Sequence, residues 1–506
     1  MFQWDKAAFD WVLRYRGGHA CVISALLAVL ACSAAFADGL SINPATMPRI
    51  GTVDERFQSY NIEMVEVTGG RFWKPYAEPQ APGTDLFAYR PPIDLTNIKL
   101  RRLATALAPT YLRVSGTWAN STYFSDTDNG PSAPPTGFNG ILTSRQWRDV
   151  VNFSQAVDAK LVTSFAISPG TRDAAGVWTP DQARRLFAYT GSVGGTIAAA
   201  EFMNEPDLIA ISGAPAGYDT AAYARDFKVF RSFVKQAASE TMILGPGAAG
   251  ETALASELLA GPGVDAVSYH HYGTLSERCI GSSTPEAALS EEWLSRTDRT
   301  LAFYRNLRDQ FEPGKPIWLT ETASAACGGN RWDTTFLDTF RYLDQLGRLA
   351  KAGVQVVMHN TLAASDYGLL DETTLNPRPN YWGARLWRNL MGSTVLDSGV
   401  SIQAGLHVYA HCQRGTPGGV ALLVINTDRN ASHALTLAHD SERFTLEAAS
   451  LRAATVWLNG TTLALDDKNE LPPIAGARTT AGALTFAPAT ITFLTIPSAE
   501  NSACRS

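Results

Sequence analysis

An α/β fold, a (β/α)8 TIM barrel with a C-terminal β-sandwich domain, is predicted for this chain by three observations. Eight β-rich stretches between Tyr60 and Leu362 are separated mostly by segments of helical period, as in a barrel of parallel strands. Beyond about Thr394 that period vanishes, and alternating or β-rich runs at 420–426, 450–458 and 484–496 take over, as in a sandwich. With 506 residues and 45% hydrophobic content, the chain can bury a large core and exceeds one typical domain. The expected division is 1–37 as a leader, 38–393 as the barrel and 394–506 as the sandwich, with residues near 40–55 joining the latter.

In chain order, YNIEMVEV at 60–67 reads as strand one, ended by Gly69-Gly70 and followed by a Pro-rich loop at 75–92. Leu95, Ile98, Leu103 and Leu107 share a helical face that stops before Pro109. Residues 111–116 form strand two, ending in Thr117-Trp118. The polar stretch 126–135 begins like a calcium loop, DTDNG, but Gly137 occupies the twelfth position where a carboxylate is required, so it is a surface loop. Trp147, Val150, Val151, Ser154 and Val157 stripe the next helix, and 160–168 is strand three. Thr179-Pro180-Asp181-Gln182 reads as a capping box opening a helix to Tyr189. Strand four is AAAEFMNEPD at 198–207, followed by a long helix striped by Tyr223, Phe227, Phe230 and Val234. Strands five to eight lie at 241–244, 264–272, 316–323 and 354–362, with helices around 293–311 and from Phe336 to near Gly353.

The N-terminus carries Arg14, Arg16 and His19, an apolar run at 21–31 and then Ala35-Phe36-Ala37. This is the pattern of a secretory leader with an A-x-A cleavage site, too short to span a bilayer. A secreted or periplasmic protein without stable membrane insertion is expected, a lipoprotein through Cys32 being the lesser alternative. Removing residues 1–37 takes away three basic and two acidic groups and leaves 39 Lys+Arg against 46 Asp+Glu, a net of −7. That balance argues against a nucleic-acid partner, while a local basic cleft still permits an acidic substrate. No C-x-x-C or His/Cys cluster suggests a metal site, and a monomer without cofactor is expected. Cys279 follows strand six and Cys327 strand seven, in adjacent loops of one barrel face, whereas Cys412 and Cys504 both lie in the β-rich region. The expected pairs are therefore Cys279–Cys327 and Cys412–Cys504, the alternative being four free buried thiols. Asn120-Ser121-Thr122 is a glycosylation sequon whose use depends on the source.

Strand four ends in Asn204-Glu205-Pro206 and strand seven carries PIWLTETA around Glu321. Small or apolar runs that stop in a carboxylate read as buried parallel strands delivering acids to the barrel mouth. A structural ion pair is the bland reading; the chemical one is a glycosidase, whose two carboxylates need opposite protonation states. Gly245-Pro-Gly-Ala-Ala-Gly250 fits a dinucleotide fingerprint, but the acid near the required distance, Asp265, starts its strand rather than ending it, so a barrel loop is the better reading. His270 and His271 are adjacent on a strand and face opposite ways, so they cannot chelate one ion together; one lines the cleft and the other packs behind it. No G-x-S-x-G elbow is present.

The runs IWLTETASAACGG, VVMHN, DYGLLDE and NPRPNYW, with YLRVSGT and the His-His-Tyr of strand six, resemble the heparanase family, glycoside hydrolase family 79. The resemblance spans Tyr60 to about Leu396 and implies a retaining β-glucuronidase with Glu205 as acid/base and Glu321 as nucleophile. It further implies that Asn204 meets the sugar 2-hydroxyl and that Tyr367 and the backbone at Gly328 grip the uronic carboxylate. Glu63, Thr117, His271, Tyr272 and Asn360, at the ends of the matching strands, complete the expected substrate contacts. The chain departs from heparanase in reading Ala326-Cys327-Gly328-Gly329 where heparanase has a tyrosine and three glycines, and in carrying Glu63 for an aspartate. No excised linker is evident, which implies a single-chain enzyme. Endo-cleavage of a heparan-sulfate-like chain is expected, with release of terminal glucuronic acid as the alternative and a non-catalytic carbohydrate-binding protein as the remote one. The loops at 72–90 and 276–290 would decide between the first two.

Overall fold

The computed structural model describes residues 40–76, 86–259, 261 and 263–505. The expected leader, with Cys32, and the middle of the Pro-rich loop lie outside these residues. Eight parallel strands close into a barrel: β1 (Gln58–Glu63), β2 (Thr110–Ser115), β3 (Ala159–Thr163), β4 (Ile197–Glu201), β5 (Met242–Ala248), β6 (Ala266–Leu275), β7 (Ile317–Ala326) and β8 (Val356–His359). Strand β8 pairs with β1, which closes the ring. Nearly every strand residue is buried because helices cover the outside and side chains fill the inside. Toward the strands' N-terminal ends Tyr111, Val162, Ala199, Leu244, Ala266, Trp318 and Val356 form an apolar floor, with Tyr111 and Trp318 in ring contact across it at 4.8 Å. Two residues further along the same strands, Arg113, Glu201, Ser268 and Thr320 are all buried. The interior thus turns from apolar to polar toward the C-terminal mouth.

Two local readings are corrected. Strand one was expected to run to Val67, but β1 stops at Glu63 and Met64–Thr68 is a helix. The side chains of Glu63 and Glu66 each take the other's backbone N–H, a reciprocal cap that turns the chain out of the sheet. Conversely, the box expected at 179–182 does not form. The helix Asp181–Ser192 starts without a side-chain cap because Gln182 Oε1 instead accepts from Phe124 N–H at 2.8 Å. A long-range partner outcompetes the local one.

Beyond the barrel, Met391–Leu396, Leu406–Gln413, Val420–Asn426, Thr490–Ile496 and Ser441–Glu447 build an antiparallel sheet that Arg49–Thr52 extends at one edge. Leu40–Ile42, His433–Leu437 and Gly482–Phe486 form a three-stranded second sheet. Leu422, Val424, Leu435, Leu484, Phe486 and Leu494 are buried between the two. The helix Phe336–Lys351 packs against both barrel and sandwich, and its Gly347 lies so close to the Tyr409 ring that a Cβ would come within 2.4 Å. Both disulfides form as paired from loop order, Cys279–Cys327 and Cys412–Cys504, with Cα–Cα distances of 6.4 and 5.3 Å.

Candidate active site

Glu321 lies in mid-strand on β7, where simple alternation would point it away from the barrel, since Trp318 and Thr320 face inward. The β6–β7 register shifts between Tyr269 and His270, so that Tyr269 pairs with Leu319 but His270 with Glu321. The extra residue is a bulge, and it aims Thr320 and Glu321 alike into the barrel. Thr320 Oγ1 donates to Glu201 Oε1 at 2.8 Å, and Glu321 Oε2 accepts from Arg113 Nη1 at 2.8 Å.

Glu205 comes from a different device. Strand β4 ends at Glu201, and the carboxylate sits four residues later with φ +48. This left-handed residue is held by several bonds. Glu205 N–H donates to Gly247 O at 3.2 Å. Asn204 N–H donates to Asn120 Oδ1 at 2.8 Å, and Asn120 returns a bond to Asn204 O at 2.9 Å. Asp207 accepts from Ala249 and Gly250 N–H at 3.0 and 2.7 Å. The run expected as a barrel loop is corrected in part: residues 245–248 belong to β5 itself, and only Ala249 and Gly250, just past its end, spend their N–H groups on Asp207. Asp265 likewise bonds Lys235 and Ile243 N–H.

One oxygen of Glu205, one ring nitrogen of His270 and one oxygen of Glu321 lie within 4.8 Å of one another. Such spacing suits a metal ion as well. Arg113, however, already places a full charge on Glu321 and 3.2 Å from His270 Nε2, which disfavours a second cation. Arg113 has only donors, so that contact makes Nε2 the acceptor and leaves the ring proton on Nδ1, 3.0 Å from Glu205 Oε1. Burial opposes a second ring proton, as does Arg113, but Glu321 and Glu205 outweigh them and raise His270 above its ordinary value.

The two acids are tuned apart. Burial raises Glu205 above the usual carboxylate range, and repulsion from Glu321 adds to it against the His270 bond. Burial would raise Glu321 too, but His270, Arg113 and the Tyr272 hydroxyl, donating at 2.5 Å, hold it below that range. One carboxyl is thus set to carry a proton and the other to stay ionised. Glu63 is raised well above its ordinary value by burial and then by Glu321, against Arg113 and the Asn360 bond.

The other expected contacts divide. Asn360 Nδ2 lies 3.1 Å from Glu63 Oε1, 3.1 Å from Tyr272 OH and 3.3 Å from Tyr367 OH, its two N–H groups shared among the three, which links all four residues to Glu321. Asn204 Oδ1 accepts from Arg113 Nη2 at 2.8 Å beside Glu205. Gly328 follows β7 with φ +80, packed against Ser365, Trp73 and Arg278. Thr117 is half-buried at the start of a short 3-10 turn after β2, and no side-chain hydrogen bond ties it to the carboxylates. His271 is corrected. It faces outward, its Nδ1 2.9 Å from Thr300 Oγ1 on the helix Arg296–Phe311, and burial lowers it to about 3. His270 is the histidine of the site. Sequence reasoning also missed Arg113, Glu201 and Asn120. Asn120 is fully buried and bonded to the Glu205 loop, so the sequon carries no glycan in this fold. An arginine amid the apolar residues of YLRVSGT was the available signal for the first.

Known proteins point the same way as this geometry. The chain is 26% identical over 479 residues to heparanase-like protein 1 of Arabidopsis thaliana, covering 81% of this chain and 86% of that protein. It is 26% identical over 466 residues to the hyaluronoglucuronidase of Hirudo nipponia, covering 82% and 92%. In fold it resembles the crystal structure of a 4-O-α-L-rhamnosyl-β-D-glucuronidase from Fusarium oxysporum, with a TM-score of 0.64 at 15% identity over 90% of this chain and 100% of that one. The profile of glycosyl hydrolase family 79, N-terminal domain, matches residues 92–347, from before β2 to the helix after β7. With half the chain matched and two oppositely tuned carboxyls at the barrel mouth, this protein belongs to glycosyl hydrolase family 79 and is a heparanase-like glycoside hydrolase.

Proposed function

We propose that the protein is an exported β-glucuronidase that cleaves with retention of configuration, acting within heparan-sulfate-like acidic glycans. The observation that carries the reading is the Glu205–Glu321 pair, with oxygens within 4.8 Å and opposed protonation tendencies. That spacing is nearer the roughly 5–5.5 Å of a retaining pair than the roughly 6.5–9.5 Å with which an inverting enzyme seats a water between its carboxyls. In the first step Glu321 attacks the anomeric carbon while Glu205 protonates the departing oxygen. In the second, Glu205 takes a proton from water, which attacks that carbon and releases Glu321. Arg113 and Tyr272 hold Glu321 ionised and oriented. Selection of a uronic acid rests on Tyr367 and the turn at Gly328, which lie together: a Cβ on Gly329 would sit 3.1 Å from Tyr367 N.

One observation favours the second reading, release of terminal glucuronic acid. The hairpin Gly70–Trp73/Phe87–Arg90 sets Trp73 against Phe87 with tilted rings 4.7 Å apart, and Trp73 crowds Gly328. In a pyranose the carboxylate carbon neighbours O4, where a preceding sugar would attach, so a wall at the carboxylate turn obstructs that direction. Heparan sulfate digestion with sizing at early times separates the two. Oligomers mean internal cleavage, free uronic acid alone means terminal release, and no product from any glucuronide refutes both.

A further inference from the structure

Just outside the reacting groups, three consecutive residues, Cys327, Gly328 and Gly329, adopt positive φ of 62, 80 and 88. Their carbonyls are all taken on one side. Cys327 O accepts from Ser276 Oγ at 3.0 Å and Arg278 Nη1 at 3.1 Å. Gly328 O accepts from Ser365 Oγ at 2.9 Å and Asp366 N–H at 3.2 Å, and Gly329 O from Arg278 Nη1 at 3.1 Å. In a planar trans peptide the N–H points opposite to the C=O. The Gly328 and Gly329 N–H groups must therefore point away from this clasp, and neither has an acceptor among the described residues. Such a run of spare amides is an anion cradle.

Arg278 is the common element of the clasp. Its side chain is wholly buried, its Nη2 bonds Asp366, and its guanidinium lies 3.5 Å from the centre of the Tyr76 ring. Asp366 also accepts from Tyr76 N–H at 3.2 Å, and the neighbouring Cys279 is joined covalently to Cys327. Its charge is matched by Asp366 on Nη2, and Nη1 is spent on the two carbonyls, so this wholly buried side chain does not itself offer the substrate a cation. It acts through the backbone.

We propose that Arg278 is a positioning residue for anion selectivity: by gripping two carbonyls of the Cys327–Gly329 turn, it aims the turn's N–H groups at the substrate carboxylate. The inference rests on the glucuronidase reading above. It predicts that Arg278→Lys, which keeps charge but loses the planar fork, lowers kcat/KM on 4-nitrophenyl β-glucuronide about tenfold, mostly through KM, while activity on 4-nitrophenyl β-glucoside stays within about twofold. Tyr76→Leu, which removes at a partly exposed position the ring that lies against the guanidinium of Arg278 and, at 4.4 Å, that of Arg331, should shift the same ratio about threefold in the same direction and serves if the lysine variant does not fold. A discriminating wild type whose glucuronide-to-glucoside ratio survives in the folded variants, or whose two activities fall alike, overturns the inference alone. A wild type that does not discriminate overturns the glucuronidase reading and this inference with it.

Discussion

Arg113 is the residue on which the site's electrostatics turn. Its guanidinium meets Glu201 at 2.9 Å, Glu321 at 2.8 Å and Asn204 at 2.8 Å, with no water-exposed face to relieve any of them. Removing one partner from such a cluster leaves uncompensated buried carboxylates, at a cost of about 3–5 kcal/mol. Arg113→Met is expected to lower unfolding stability by about that amount and to move the acid limb of the activity profile upward, as Glu321 loses the group that holds it ionised; urea unfolding and kcat/KM against pH would show both. In the unmodified enzyme the signs are opposite for the two acids. Glu321, held low, keeps its charge until the pH falls below the ordinary carboxylate range, whereas Glu205, held high, keeps its proton above that range and sets the basic limb. Glu321→Gln should abolish turnover. Glu205→Gln should retain activity on substrates with good leaving groups, lose the basic limb, and respond to azide with a product of retained configuration. Azide rescue of the Glu321 variant with the opposite anomer would exchange the roles.

At the scale of elements, the proposed catalytic groups depend on irregularities in otherwise regular strands. The bulge in β7 turns Glu321 inward, the reciprocal cap after β1 stops the strand so that Glu63 stays in the interior, and the run after β5 anchors the Glu205 loop through Asp207. The loops after β6 and β7 are joined by Cys279–Cys327, which closes a separation of 48 residues. In the chain-entropy account a loop of that length contributes about 4 kcal/mol. Peptide mapping without reduction should recover Cys279–Cys327 and Cys412–Cys504 and no cross-domain pair. The Cys279→Ser/Cys327→Ser double variant should unfold at a lower urea concentration while keeping the fold, since the barrel strands close without it.

Across the whole molecule, the sandwich and barrel meet through a buried charge network on the helix Phe336–Lys351. Asp344 accepts from His407 Nδ1 and Tyr409 OH, both at 2.5 Å, and Arg348 bonds Asp344, Asp298 and Glu291 at 2.6, 2.5 and 2.8 Å. Burial would raise Asp344, but His407 and Arg348 lower it below its ordinary 3.8. Burial would lower His407, but Asp344 raises it above 6.5. The stabilisation from Asp344 is present above 3.8 and lost as pH falls through its depressed value; that from His407 is present below 6.5 and lost as pH rises through its raised value. The joint is accordingly strongest in mildly acidic solution. The gap in urea midpoint between wild type and His407→Gln should be widest near about pH 5–6 and narrow toward about pH 9; a gap independent of pH would mean that His407 is neutral throughout.

The sequence by itself determined the barrel, its strand count, the sandwich and the two glutamates, and it made the cysteine pairs an expectation that the structure then met. Each of these is written in local signals: apolar runs of strand length, helical stripes, Asn-Glu-Pro stopping a strand, and the order of loops along the chain. What it left open needed partners distant in sequence. Alternation shows that His270 and His271 face opposite ways but not which faces in; pairing with β7 and the packing of His271 on Thr300 decided that. The expected cap at Thr179 lost Gln182 to Phe124, and Asn120 became a strut for Glu205 rather than a surface sequon. Arg113 is the clearest case. A buried arginine is prohibitive alone and becomes indispensable once Glu201 and Glu321, 88 and 208 residues away, supply its counter-charges, and only tertiary folding brings them within 3 Å.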